Sequence, residues 1–234
     1  MIDTAILLNA GKGTRLLPLT ADRPKCLIEV GGRAIVDHQL DALAAAGVKR
    51  RIVVGGYRID RLADHLAARG DDVELRFNPF WAVSSSISSV WAARDLLEGR
   101  YAILNGDTVY EPTLISDGLS RIQQGVNLFV EPMVSPVLDE MLVEMEAGLV
   151  RQVAKTLNPS RARFHSLGVI ASVDDGGVYR AGLDKAMRAE NGIQSFHHAI
   201  IDDLAKTGPV HGVVIDKGHW VEIDRVEHIA GWKG

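Results

Sequence analysis

The sequence has a single cysteine, Cys26, in 234 residues, so no disulfide can form within the chain and no thiol cluster is available to hold zinc. It also lacks a basic stripe. Its 26 lysines and arginines face 30 aspartates and glutamates, a formal net charge of −4, and no block of like charge is suited to a nucleic-acid backbone. Long apolar runs are missing as well: stretches such as AILL and RIVVGGY fall far short of the roughly 20 residues that span a membrane. The first residues do not combine a charged start with an unbroken apolar core, as a secretory signal does. These absences set the expectation of a cytoplasmic protein with neither a nucleic-acid nor a membrane partner. Aromatic residues are scarce at 6%, yet 47% of the chain is hydrophobic, enough for one sizeable α/β core. No repeat and no Pro-rich or charged linker divides the chain, so the expectation is a single domain over residues 1–234.

What is present is alternation. Thr4–Leu8 reads as a buried strand, and Ile35, Val36, Leu40, Leu43 and Ala44 mark one face of a helix closed by Gly47. RIVVGG reads as a second strand, Ile59, Leu62, Ala63 and Leu66 as a second helix ending at Gly70, and DVELRF as a third strand. A helix over 88–97 and the strand in YAILNGD follow. Strand-helix alternation predicts an α/β fold with a mainly parallel, mixed central sheet covered by helices on both faces. Beyond it, LVEMEAGLVRQVAK predicts a hairpin. SLGVIASV and VHGVVID predict further strands that extend the same sheet, with helices near 178–190 and 194–206.

The first strand runs into Asn9, Ala10, Gly11, Lys12, Gly13, Thr14 and Arg15. A Walker loop needs its lysine and hydroxyl directly after the second glycine, and here Gly13 separates Lys12 from Thr14. The dinucleotide fingerprint fails because Leu16 takes the place of the third glycine. Small residues at the end of a parallel strand still let backbone N–H groups approach an anion. Arg15 adds a cationic fork, and Lys25, beyond Pro18 and Pro24, adds a compact charge. Two carboxylates stand in settings suited to a metal. Asp107 follows a strand directly through Asn105 and Gly106, and Asp224 ends His219-Trp220-Val221-Glu222-Ile223-Asp224, where Glu222 and Asp224 alternate with Val221 and Ile223.

The run Gly11 to Lys25 resembles the signature G-x-G-T-R-L-x-P-L-T-x-x-x-P-K of nucleotidyltransferases that activate sugar phosphates and related small phosphates. Asn105-Gly106-Asp107 and the late W-x-E-I-D resemble its phosphocholine and phosphonate cytidylyltransferase branch. The resemblance implies a Rossmann-like, GT-A-like nucleotidyltransferase fold, with a nucleotide-binding part over about 1–130 and an acceptor-binding part over about 131–234. It also implies Mg²⁺ held by Asp107 and Asp224, with Glu222 beside them. Lys25, Arg15 and Lys155 become the expected catalytic cations. Asn9, Ala10, Gly11, Gly13, Thr14, Arg15, Gly56, Tyr57 and Gly106 are expected around the nucleotide.

Asn78-Pro79-Phe80-Trp81 and the serines that follow resemble the family segment N-x-x-[YF]-x-x-[SN]-N-x-x-S. By that likeness Asn78, Ser84, Ser85, Ser86 and Ser89 join the nucleotide side, at what also reads as a helix entrance. Arg163, His165, Ser166, His197, His198, Tyr110 and Trp220 are expected on the acceptor side. Trp81, Tyr110 and Trp220 could cage a quaternary ammonium, whereas the arginine and histidines suit an acceptor with a hydroxyl, a carboxylate or an added negative charge; a phosphonate is the preferred acceptor. The expected activity joins CMP from CTP to a small phosphate or phosphonate acceptor, like 2-aminoethylphosphonate, hydroxyethylphosphonate or phosphocholine, and releases pyrophosphate. A uridylyl- or thymidylyltransferase acting on a sugar 1-phosphate, and a non-catalytic nucleotide sensor, are the alternatives. The resemblance also allows a homodimer.

Overall fold

A computed structural model of the chain describes residues 1–134, 139–174 and 176–232. The first half follows the sequence pattern closely. Strand β1 (Thr4–Asn9) is followed by a small hairpin, β2 (Glu29–Val30) and β3 (Arg33–Ala34), and by helix α1 (Ile35–Ala45). Then come β4 (Arg50–Gly55), α2 (Ile59–Arg69), β5 (Val73–Phe77), α3 (Ile87–Ala92), β6 (Gly99–Asn105), β7 (Thr108–Tyr110) and α4 (Pro112–Ser120). Apolar spacing explains α1, which buries Val36, Leu40 and Leu43 under one face of the sheet. The helix expected over 88–97 is shorter: α3 stops at Ala92, and a 3₁₀ turn over Arg94–Leu96 takes its place. Pro112 opens α4 at a position where its missing N–H costs nothing.

The second half comprises β8 (Gly125–Pro132), β9 (Leu142–Glu146), β10 (Leu149–Ala154), β11 (Phe164–Asp174), α5 (Val178–Met187), α6 (His198–Ala205), β12 (Val210–Val214), β13 (Trp220–Glu222) and α7 (Val226–Ile229). The hairpin from β9 to β10 turns at Ala147 and Gly148, both at positive φ, as a two-residue hairpin turn requires. The sequence pattern foretold neither α4 nor β8. The helix expected over 194–206 begins only at His198, after a 3₁₀ turn over Gly192–Gln194.

One nine-stranded sheet runs in the order β5-β4-β1-β6-β11-β8-β12-β10-β9. From β5 to β6 every pairing is parallel; beyond β6, all are antiparallel except β8 with β12. The chain leaves β1 for β4 and β5 on one side and returns to β6 on the other. The carboxyl ends of β1 and β6 therefore flank a topological switch point, where open α/β sheets leave a crevice. Because β11 runs against β6 and β8, its first residues reach the same end, with His165 opposite Glu131.

Candidate active site

The loop after β1 leads into a 3₁₀ turn at Thr14–Leu16, and a second such turn, Lys25–Leu27, sits against it. Gly13 makes that contact possible. It sits at φ +69°, and a Cβ there would lie 2.9 Å from Cβ of Lys25. The Lys25 stem therefore runs along the loop, and its ammonium donates to Asp107 Oδ2 at 2.9 Å and Asp224 Oδ1 at 2.6 Å, partners 82 and 199 residues away.

A pair of three-residue strands explains how the two aspartates meet. β7 and β13 pair antiparallel with Glu222 opposite Thr108, and Ile223 N–H donates to Asp107 O at 2.8 Å. Asp107 precedes one strand and Asp224 follows the other, so the ladder sets them side by side. Gly106 lets Asp107 leave β6 so sharply, since a Cβ at that position would collide with Asn9 Oδ1 and Leu8 O.

Asp107, Glu222 and Asp224 offer carboxylate oxygens within 4.8 Å of one another. Burial, and then the charges of Asp107 and Asp224, push the Glu222 carboxyl up to about 8. Burial also works to raise Asp224, but Lys25 and then Arg15 hold it below the ordinary carboxylate value. Lys25 shows the reverse balance: burial would lower its pKa, and Asp107 and Asp224 outweigh that and raise it. Three carboxyl groups are thus gathered within reach of one point, and an all-oxygen donor set fits a hard divalent cation.

Further cations close in on this cluster. Arg15 bonds Asp224 Oδ2 at 3.0 Å and Asp139 Oδ2 at 2.8 Å, while Lys155, just beyond β10, reaches Asp139 Oδ1 at 2.7 Å. Asp139 thus bridges two of the three expected catalytic cations, a role no sequence signal announced.

On the side expected to hold the nucleotide, Tyr57 N–H donates to Ala10 O at 3.1 Å, so Gly56 and Tyr57 lie against Ala10 at the start of the loop after β1. Lys12 sits 5.2 Å above the Tyr57 ring, and Trp81 packs against that ring at 5.3 Å. The other residues expected here are turned inward. Asn9 is buried, with its amide group toward Gln39. Asn78 is buried too, donating to Ser88 Oγ and Ser89 Oγ and accepting from Phe80 N–H. Ser84 donates to Phe80 O, Ser85 N–H to Ile193 O, and Ser86 bonds His197. The helix entrance is therefore present, with the side chains of Asn78, Ser84, Ser86 and Ser89 used largely in building it.

A cleft of about 640 Å³ opens beside the carboxylates, lined among others by Arg15, Glu131, Glu140, His165, Trp220 and Arg225. His165 lies between Glu140 and Glu131, the latter at 3.0 Å, and Trp220 Nε1 also donates to Glu131 at 3.0 Å. Burial would lower the His165 pKa, but Glu140 and then Glu131 outweigh it and raise it. The stability this adds is full below the ordinary histidine pKa and is lost as pH rises through the raised value. Glu140→Gln is accordingly expected to lower the melting temperature more at pH 6 than at pH 9, measured by thermal denaturation at both.

The remaining acceptor-side expectations need correction. Tyr110 lies in the core at 1% exposure, its hydroxyl donating to Leu167 O at 2.7 Å, because β7 turns it under the sheet. Arg163 is exposed and does not line the cleft. His197 and His198 are both buried instead of facing an acceptor, with their rings 4.4 Å apart. Ser86 anchors the first and Ser166 the second, drawing them into one layer. Burial lowers His197 to about 4 and, with His197 and Lys155 adding to it, His198 well below the ordinary value, so both rings are neutral.

Three comparisons bear on this geometry. A family model described as nucleotidyl transferase matches residues 4–125. The chain is 52% identical over 65 residues, 28% of its length, to an N-acetylmuramate alpha-1-phosphate uridylyltransferase of Caulobacter vibrioides. It is 41% identical over 106 residues, 45% of its length, to a 2-aminoethylphosphonate cytidylyltransferase of Lancefieldella rimae. These matches span 27% and 43% of the relatives' own lengths. The CTP:phosphocholine cytidylyltransferase structure from Streptococcus pneumoniae superposes with a TM-score of 0.81, covering 99% of this chain and 97% of that one at 20% identity, a likeness of fold.

Proposed function

The chain belongs to the nucleotidyl transferase family, and we propose that it is a magnesium-dependent cytidylyltransferase joining CMP from CTP to a small phosphonate or phosphate and releasing pyrophosphate. The observation that carries this reading is the meeting of Lys25, Asp107 and Asp224 at the crevice beside β1 and β6. An acceptor phosphonate is already anionic, so the transfer needs no protein base. What it needs is alignment of the acceptor with the α-phosphorus and relief of the negative charge that grows on the leaving pyrophosphate.

In this reading the backbone from Gly11 to Thr14 receives the triphosphate, and Arg15 and Lys25 stabilise charge on the phosphates. Asp107, Asp224 and Glu222 would hold Mg²⁺, which when bound supplies Lewis-acid neutralisation of phosphate oxygens. Lys155 faces the same carboxylates from the acceptor side, where it is suited to meet the incoming phosphonate.

The cleft favours a phosphonate over phosphocholine. The three aromatic residues that could cage a quaternary ammonium do not converge: Tyr110 is in the core and Trp81 packs against Tyr57, leaving Trp220 alone of the three in the cleft. A wall of Glu131, Glu140 and Trp220 suits the primary ammonium of 2-aminoethylphosphonate, in keeping with the Lancefieldella relative. The uridylyltransferase relative sustains a second reading, UMP transfer to a sugar 1-phosphate.

Crossing CTP, UTP, dTTP and ATP with 2-aminoethylphosphonate, 2-hydroxyethylphosphonate, phosphocholine, inositol phosphate and glucose 1-phosphate separates the two. The expected result is pyrophosphate release with CTP and a phosphonate. Reaction only with UTP or dTTP and a hexose phosphate would establish the second reading.

A further inference from the structure

Helix α1 carries one residue that breaks its apolar stripe. Gln39 stands beside Leu40 and between Val36 and Leu43, with its side chain fully buried. Both of its amide protons are used on a single turn: Nε2 donates to Asn105 O at 2.7 Å and to Thr108 O at 2.8 Å. Those carbonyls bracket Gly106 and Asp107, so the amide closes the turn from behind.

The remaining atoms follow in order. With Nε2 committed to two acceptors, Oε1 faces Asn9, which must present its own amide, Nδ2, at 3.4 Å. Asn9 Oδ1 is left against Gly106, with no hydrogen-bond partner among the described residues. The ends of β1 and β6, the two strands flanking the crevice, are thereby joined through one buried side chain of α1.

We propose that Gln39 is a positioning residue: by clamping both ends of the Asn105–Thr108 turn, it fixes the direction in which Asp107 points. The inference rests on the reading of Asp107 as a cation ligand. A carboxylate on an unclamped turn must be ordered at the moment of binding, which weakens affinity, whereas a preset one need not be. Loss of the hydrogen bonds that orient metal ligands commonly costs about 10–100-fold in affinity.

The test uses the whole chain, with Mn²⁺ alone as the probe. Gln39→Met keeps the length of the side chain and removes both donors, and Gln39→Glu keeps its shape with at most one. Binding of Mn²⁺ is followed by electron paramagnetic resonance of the free ion, and hydrogen exchange is followed in peptides covering 105–110. The expected result is at least tenfold weaker Mn²⁺ binding in a folded Gln39 variant, with faster exchange of the turn and unchanged exchange in β4.

A Gln39 variant that only melts earlier, with Mn²⁺ affinity and turn exchange as in wild type, overturns the proposal and leaves the reading of the site intact. Asp107→Asn is the control. If it binds Mn²⁺ as wild type does, the reading of Asp107 itself fails, and the proposal with it.

Discussion

Lys25→Ala is expected to lower turnover by at least two orders of magnitude while leaving the fold intact. The size follows from the role: removing one group that stabilises charge developing in a transition state commonly costs about 3 kcal/mol. The geometry gives the same variant a second signature. In the resting protein the ammonium lies between Asp107 and Asp224, at 2.9 and 2.6 Å, and partly neutralises a cluster that also includes Glu222. Without it, Asp107 and Asp224 lose their shared ammonium and repel one another, and a divalent cation can relieve them. Mg²⁺ should therefore raise the melting temperature of Lys25→Ala by more than it raises that of wild type. Wild-type turnover, or equal Mg²⁺ responses, would remove Lys25 from its assigned role.

Asp224→Asn is expected to produce a loss of similar size with the opposite response to cations. Asp224 receives Lys25 on one oxygen and Arg15 on the other, so it orients both cations as well as contributing to the carboxylate cluster. The amide keeps the shape and the backbone bond between Asp224 N–H and His228 Nδ1. It loses the charge that pairs with the cations. Turnover should fall by about two orders of magnitude, and stabilisation by Mg²⁺ should shrink instead of growing. Steady-state kinetics and thermal denaturation with and without Mg²⁺ measure both effects.

The chemistry of the site was more legible in the sequence than its assembly. Gly13, Arg15 and Lys25 stand in one continuous motif, and Asp107 and Asp224 each end a recognisable stretch. That the two aspartates adjoin depends on β7 and β13, strands of three residues each, too short to show a period. Tyr110 illustrates the cost: as an aromatic close after Asp107 it suggested a ligand cage, but its register in β7 sends it into the core. The alternating pattern of the first half predicted β1, β4, β5, β6, α1, α2 and a longer α3, whereas the short strands β2, β3 and β7, helix α4 and strand β8 went unread. Gln39 left a detectable sign, a polar residue in a buried helical stripe, whose meaning appears only when the Asn105–Thr108 turn is seen behind it. Asp139 left none, since it becomes significant only by lying between Arg15 and Lys155.

The most direct test of nucleotidyl transfer is phosphorus NMR of the protein with CTP, 2-aminoethylphosphonate and Mg²⁺. The account predicts pyrophosphate and a new phosphonate-to-phosphate anhydride appearing in equal amounts as CTP disappears. CTP left intact in the presence of this and the other small acceptors, or CTP cleaved to CMP with no acceptor-linked product, would contradict it.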